Sequence, residues 1–465
     1  MSGAIQGRRR KAWVSLMFSV LYAQFQGGDT LETTKPWCTR SMGNVMKEPT
    51  CSPVALPEAN TTVKTVLLLA YYFPPDNTSG ARRPFRFAKY LPATGYAVEV
   101  ISAAAGLEGW PHVHTTPARD QARVTRIWSS GLSGIQTHVL PYNDRLPWIP
   151  HAVHDASAVI TRTGALAVLS TSPPVCTHLA ALCLKHRFGI PWVADFRDPL
   201  YGNPFRRRKL AWMYDLALER LIVSQADAII ANTDTAAEVL QRRYPRWRNK
   251  VRVLWNGYDP EEDIGPRPIT DRPYHLMTHA GSIYGGRHPG ALLKAVAHLI
   301  DTGRLRPDQF RLQLIGPIEF DTGWHRESHF ERLVAGDCLT YTGTAVAESE
   351  AHRAMGVSDS LLLLDTNSQN CALQLPAKVF DYVLIGRPVL AFTTRDSPTE
   401  RVLAGSGVRY IAVYPDDSAE SAANKVMACM NLPSDAVAPS VWFRETFAAP
   451  AQAVAMADIL DELAG

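Results

Sequence analysis

The 465-residue sequence predicts an α/β protein built from two parallel-sheet halves. Three observations carry that reading. Short apolar runs of strand length alternate with stretches of helical period, the pattern of βαβ units. The alternation runs twice, interrupted once by the polar, proline-bearing stretch EEDIGPRPITDRP at 261–273. The length suits two domains, each with its own core.

Ordered structure is expected to begin at Val63. VKTVLLLAYYF (63–73) reads as a buried strand, PPDNTSG (74–80) as a loop, and ARRPFRFAKYL (81–91) as a helix interrupted near Pro84. Gly95 is a stop and AVEVISAA (97–104) a second strand. ALAVLSTS (165–172) is a strand, VCTHLAALCLKHRFG (175–189) a helix ending at glycine, and IPWVADFRDP the next strand with its loop. A helix follows within 208–223, with Leu210, Met213, Ala217 and Leu221 recurring on one apolar face. ADAIIANT and KVRVLWNGYD are two short strands, and the chain leaves the first sheet at the turn Asn256-Gly257.

The pattern then restarts. YHLMTHAGSIYGG is a strand running into a glycine loop, followed by a helix from Pro289 to about Thr302. RLQLIGP, CLTYTG, SDSLLLLD, a helix in LPAKVFDYVLIG, RPVLAF and RYIAVYP complete the second set. The expected boundaries are an extension at 1–62, a first domain at 63–260, a linker at 261–273, a second domain at 274–440, and a C-terminal helix at 441–465 that crosses back to the first domain.

Hydrophobic residues make up 46% and charged residues 20%, which excludes wholesale disorder. A net charge of +4 does not imply nucleic acid. The basic residues cluster in the first half: Arg82, Arg83, Arg86 and Lys89; Arg206 to Lys209; and Arg242 to Arg252. Such groups suit either an anionic membrane surface or solvated helix faces. Seven scattered cysteines without a CxxC argue for reduced thiols in a cytoplasm. No apolar run approaches the ~20 residues of a membrane span. Arg8 to Lys11 followed by AWVSLMFSVLYA (12–23) resembles the start of a signal peptide, so export or an anchor is the alternative for 1–62. The preferred expectation is an unpacked extension, or a start assigned too far upstream.

In open parallel sheets ligands bind beyond the carboxyl ends of strands, so the candidates lie at strand-to-loop junctions. Lys378 opens a helix, where a cation sits at the positive end of the helix dipole and suits a phosphate ligand. Asp381 follows at i+3 on the same face, where it can accept hydrogen bonds from a ribose diol. Arg287, leaving the glycine loop Gly281–Arg287, can grip the same diphosphate. A nucleoside diphosphate satisfies all three residues; a surface Lys–Asp pair beside an unrelated arginine is the plain alternative. The 14 histidines show no HExxH, and the chain lacks GxxxxGK[ST], GxGxxG and GxSxG.

Taken in order, YYFPPDNTSGARRPFRFAKYL, STSPPVCTHLAALCLKHRFGIPWVADFRDP, ADAIIANTDTAAEVL, VRVLWNGYDP, HAGSIYGGRHP, LTYTG and LPAKVFDYVLIGRPVLAF resemble the retaining family 4 glycosyltransferases of polysaccharide and glycolipid assembly. The similarity covers roughly residues 63–462. It implies the GT-B architecture, two Rossmann-like domains facing a cleft, with acceptor on the first and nucleotide-sugar on the second. It implies transfer with retention and without metal or other cofactor. By motif match, Arg287, Lys378 and Gly286 would hold the diphosphate, Asp381 the ribose, and Gly316 with Thr342, Gly343 and Thr344 the base. Gly80 would allow close approach to the reacting sugar, and Asp198 with Arg197 would be the catalytic pair near it. The family usually has two glutamates eight positions apart. Here the second position is Asp381 and the first is Leu373, leaving Gln374 or Glu400 as substitutes at the donor sugar.

The function expected is transfer of a sugar from a UDP- or GDP-sugar to a lipid-linked or polysaccharide acceptor, in the cytoplasm, with peripheral contact to an anionic membrane and no nucleic-acid partner. A nucleotide-sugar epimerase on the same fold and a non-catalytic sugar-nucleotide-binding protein are the alternatives.

Overall fold

Two parallel sheets organise the chain. A computed structural model describes residues 64–76, 78–103, 113–115, 146, 148–203, 209–284, 286–320, 323–365 and 373–465. Residues 1–63, Asn77, residue 104, Arg206 to Arg208 and Gly285, on which expectations were placed, lie outside them.

The first sheet comprises β1 (Lys64–Leu69), β2 (Tyr96–Ser102), β3 (Val113–Thr115), β4 (Ala167–Ser172), β5 (Trp192–Phe196), β6 (Ala228–Ala231) and β7 (Val251–Val253). Their order is β3-β2-β1-β4-β5-β6-β7, parallel throughout. Helices α1 (Ser79–Tyr90), α2 (Trp148–Thr163), α3 (Cys176–Phe188), α4 (Lys209–Gln225) and α5 (Asp234–Arg243) connect and cover it. The second sheet holds β8 (His275–Ala280), β9 (Phe310–Pro317), β10 (Leu339–Gly343), β11 (Ser360–Leu364), β12 (Val389–Phe392) and β13 (Tyr410–Val413), in the order β10-β9-β8-β11-β12-β13, again parallel. Around it lie α6 (Gly290–Asp301), α7 (Ser328–Ala335), α8 (Glu348–Gly356), α9 (Lys378–Ile385), α10 (Pro398–Ser406) and α11 (Ala419–Met430). Each sheet is buried on both faces, so its central strands are continuous apolar runs: Val66 to Leu69 in β1 and Leu361 to Leu363 in β11 are fully buried. Strand order reverses between β1 and β4 and between β8 and β11, and a crevice opens at such a point beyond the strand ends.

The terminal stretch is two helices, not one. α12 (Val441–Phe447) packs Phe443 and Phe447 with the second half, while α13 (Ala449–Ala464) packs Ala453, Met456 and Leu460 with Val66, Leu68 and Phe87 of the first. The break lies at Ala448, where the chain pairs with the segment leaving the first sheet: Tyr258 N donates to Phe447 O at 3.0 Å and Ala449 N to Tyr258 O at 2.8 Å. Lys64 and Tyr96 both donate to Asp461, at 2.6 and 2.7 Å.

Three expectations are corrected. Pro84 does not interrupt α1, which runs unbroken from Ser79 to Tyr90. The missing N–H would have bonded the carbonyl of Gly80, one helical turn back, and that carbonyl instead accepts from Arg197 Nη1. The inward face of α4 is not the one marked by Met213 and Ala217. Met213 is 70% exposed, whereas Asp215, Leu218, Glu219, Ile222 and Val223 are buried. Glu219 is satisfied there by Tyr201 N at 2.9 Å, Tyr244 Oη at 3.1 Å and Arg243, so apolar periodicity missed a face anchored by carboxylates. The basic group on α1 is neither a membrane-facing patch nor a solvated face. Arg83 is buried against Asp195, Arg82 pairs with Glu348, Arg86 donates to Gly257 O, and Lys89 reaches Asp259 at 2.7 Å.

Candidate functional site

The strand-order reversal of the second sheet sets out the site. β8 ends in His279 and Ala280, and the chain turns at Gly281 with φ +126°, a backbone conformation that favours glycine. Glycine is needed here for a second reason. A β-carbon on Gly281 would fall 2.0 Å from Cε and 2.5 Å from Nζ of Lys378, the first residue of α9. The lysine side chain therefore lies directly across the glycine. Its Nζ stands 3.1 Å from Nε2 of buried His279 and 3.4 Å from the Ser282 carbonyl. Burial, reinforced by the nearby Arg287 charge and opposed by Asp381, pushes the Lys378 ammonium down to about 7. Burial, then Lys378, holds the His279 imidazole well below its usual range, so it is neutral.

Two of the other expected loops meet beside this one. Gly316, with φ +122°, packs so closely that a β-carbon on it would lie 2.8 Å from the Gly281 carbonyl. Its N–H donates to Thr342 Oγ1 at 2.9 Å, and that hydroxyl reaches Thr344 O at 3.2 Å across Gly343. Gly316 and Thr342 to Thr344 thus form one edge of the crevice. Gly286 and Arg287 rise from the glycine loop, where Arg287 Nη1 donates to Tyr284 Oη at 2.9 Å. Asp381 lies one turn beyond Lys378, its Oδ2 3.7 Å from His352 Nε2.

The first half supplies Asp198, at the end of β5. Gln374 Nε2 donates to Asp198 Oδ1 at 2.9 Å, bringing the second half against it. Burial raises the Asp198 carboxyl, while Arg197, Arg287 and Gln374 pull it back. Asp198, Gln374, Arg287 and Lys378 therefore share one electrostatic neighbourhood. Gln374 is buried and its Oε1 has no partner among the described residues. Leu373 is also buried, against a small cavity lined by Phe196, Ala231, Asn232, Ala236 and Leu240 of the first half.

Arg197 is placed otherwise than a catalytic arginine would be. Its Nε donates to Ser172 O at 3.1 Å, Nη1 to Gly80 O and Nη2 to Pro173 O, so carbonyls engage all three nitrogens of a 7% exposed side chain. It positions the loop carrying Asp198 and does not present its guanidinium to the crevice. Gly80 meets that guanidinium: a β-carbon there would lie 3.1 Å from both Arg197 Nη1 and Tyr72. Glu400 is removed from the donor-sugar set. It caps α10, taking the Asp396 N–H at 2.7 Å while Ser397 Oγ takes its own N–H at 3.1 Å, and it accepts from Tyr414 Oη.

Sequence reasoning missed His279. Its one local mark is a histidine at the last position but one of the strand, two residues before the glycine.

The comparisons agree with this fold. The model of Glycosyltransferase Family 4 matches residues 80–262. No curated protein sequence matches the chain. Among solved structures, sucrose-phosphate synthase from Thermosynechococcus elongatus aligns with a TM-score of 0.60 at 15% identity, covering 86% of this chain and 99% of that one. HepE of Anabaena, solved with UDP and glucose, aligns with a TM-score of 0.58 at 14% identity, covering 86% and 100%. The lipopolysaccharide outer core galactosyltransferase WaaB aligns with a TM-score of 0.56 at 12% identity, covering 86% and 99%. The described residues contain no helix long and apolar enough to cross a membrane. The family model is thus matched over much of the first half, and the fold of these glycosyltransferases, two facing Rossmann-like sheets of GT-B type, is shared across both.

Proposed function

We propose that the protein transfers a hexose from a UDP- or GDP-sugar to a lipid-linked or polysaccharide acceptor, with retention of configuration and without a metal ion. The observation that carries the reading is the convergence of Lys378 and Arg287 at the end of β8, opposite Asp198. Two cations beside a glycine turn suit a leaving diphosphate, whose charge they would offset as the glycosidic bond breaks. Asp381 would take the ribose diol, and Gly316 with Thr342 to Thr344 would border the base. Asp198 and Gln374 would face the sugar, Gln374 supplying an amide where the family usually has an acid. Because HepE was solved with UDP and glucose, a nucleoside diphosphate is the natural first ligand to try.

The acceptor would approach from the first half. Trp212, Met213 and Leu216 leave apolar surface exposed on α4, directly after the basic run at 206–209. An anionic membrane carrying a lipid-linked acceptor fits both features, on the cytoplasmic side where nucleotide-sugars are available.

Calorimetric titration with UDP, GDP and their nucleosides tests the donor reading, and a donor-hydrolysis or transfer assay in excess EDTA tests the metal reading. Nucleoside diphosphate binding and persistent turnover are expected. Failure to bind either diphosphate would overturn the first, and turnover that returns only with magnesium or manganese would overturn the second.

A further inference from the structure

The donor reading assigns Lys378 to the diphosphate but leaves open why its ammonium rests where it does. The lysine has a carboxylate at i+3, Asp381, within reach of an ordinary helical ion pair. It lies instead over Gly281, against an imidazole nitrogen and a carbonyl.

The imidazole can be assigned a tautomer. Leu362 O lies 2.9 Å from His279 Nδ1 and accepts from Tyr382 Oη at 3.0 Å. A carbonyl has no proton to give, so Nδ1 carries the hydrogen. His279 is 1% exposed and neutral, which leaves Nε2 as a lone-pair acceptor aimed at Lys378 Nζ, 3.1 Å away. The groups facing Lys378 are then His279 from β8, the Ser282 carbonyl and Arg287 from the glycine loop, and Asp381 from its own helix. Tyr382 stands behind His279 as a buried phenol. The imidazole and the carbonyl bear no net charge, and the one cation among these groups repels.

We propose that His279 is a positioning residue of the donor site: its neutral Nε2 holds Lys378 over Gly281 and away from Asp381, so that arrival of a diphosphate is coupled to uptake of a proton by the lysine. The inference rests on the diphosphate reading of the previous subsection. In chemical terms, the neutral amine accepts a proton from solvent as the dianionic phosphate arrives, and the resulting ammonium donates to a phosphate oxygen. Below neutral pH the lysine is already charged and binding takes up nothing there. Above it, each pH unit leaves tenfold less of the charged form, so affinity falls until the pKa of the complex is reached.

The test is calorimetry of the full chain with UDP at pH 8, where the second phosphate ionisation (pKa about 6) is complete. Measuring in two buffers of different ionisation enthalpy counts protons directly. The parent protein should take up close to one proton per UDP, and its affinity should fall about tenfold between pH 7.5 and 8.5. In His279→Leu the lysine should drop back to Asp381, already charged: uptake falls towards zero and UDP binds at least tenfold more weakly. His279→Gln, which returns an acceptor near the Nε2 position, should restore uptake and most of the affinity. A merely structural histidine would alter affinity without altering the proton count. If His279→Leu does not fold, the parent is compared with Lys378→Met, and equal uptake in the two overturns the proposal. UDP binding without proton uptake by the parent overturns it while leaving the donor reading intact. Absence of binding to both UDP and GDP overturns the donor reading, and this inference with it.

Discussion

The two halves of the molecule treat their cations in opposite ways, buried arginines in the first and a half-buried lysine in the second. In the first, Arg83 is closed on all sides: bidentate with Asp195 at 2.8–2.9 Å, and donating to Leu254 O at 2.9 Å and Trp255 O at 2.6 Å. Arg197 spends its nitrogens on three backbone carbonyls. In the second half, Lys378 has two uncharged acceptors and a neighbouring cation. A buried charge is tolerated only when paired or hydrogen-bonded, so the first set is complete as it stands, whereas the second has no carboxylate in contact and suits the diphosphate proposed above. The contrast separates scaffold from site more sharply than residue type does, since arginines and lysines occur on both sides.

The comparison is most easily broken at Arg83. Arg83→Met should leave Asp195 buried without its cation, held by Thr171 alone, and lower stability by about 3–5 kcal/mol, read by urea denaturation. A variant as stable as the parent would show that the first-half cations are not structural. Next in size is the proposed nucleotide site. Asp381→Asn should weaken UDP or GDP and their nucleosides alike, by roughly ten- to hundredfold, the equivalent of about 1.5–3 kcal/mol. Lys378→Ala should weaken the diphosphates far more than the nucleosides. Equal effects of the two variants on both ligand types, in calorimetry, would dissolve the division between phosphate and ribose contacts.

Gly281→Ala sharpens the same point from the backbone side. The added methyl overlaps the resting lysine, and the turn has φ +126°. A loss of about 1–3 kcal/mol in stability is expected, together with weaker diphosphate binding. Combined with Lys378→Ala, the steric part should vanish, so the double variant should be less destabilised than the sum of the single ones. The smallest effect belongs to Arg401, which joins the halves through Asp234 at 2.7 Å with both side chains about two-fifths exposed. Arg401→Ala should change stability by only about 0.2–1 kcal/mol, less at high salt, and leave UDP affinity unchanged.

The strand and helix sequence of both halves was legible because buried strands and amphipathic helices write their periods locally. Lys378, Arg287 and Asp381 were legible as a group because each sits at a strand end or helix start. What the sequence concealed depends on partners far away. Nothing near Pro84 announces Arg197, and nothing in α4 announces that Tyr201, Arg243 and Tyr244 would satisfy a buried Glu219. Glu400 looked like a spare acid, but its neighbour Ser397 already marked it as half of a helix cap. The arginines of α1 read as surface charge because their acceptors, Asp195 and the carbonyls of Leu254, Trp255 and Gly257, lie in other elements.

Pro84 has a consequence for how this chain can vary. Any other residue there restores an N–H that competes for the Gly80 carbonyl, and the competitor is a guanidinium 117 positions away. Changes at positions 84 and 197 should therefore be epistatic. Pro84→Ala should be harmful while Arg197 is present and close to neutral once Arg197 has been replaced. A lineage that loses the arginine is free to lose the proline, and one that keeps the arginine inherits an imperfect helix with it.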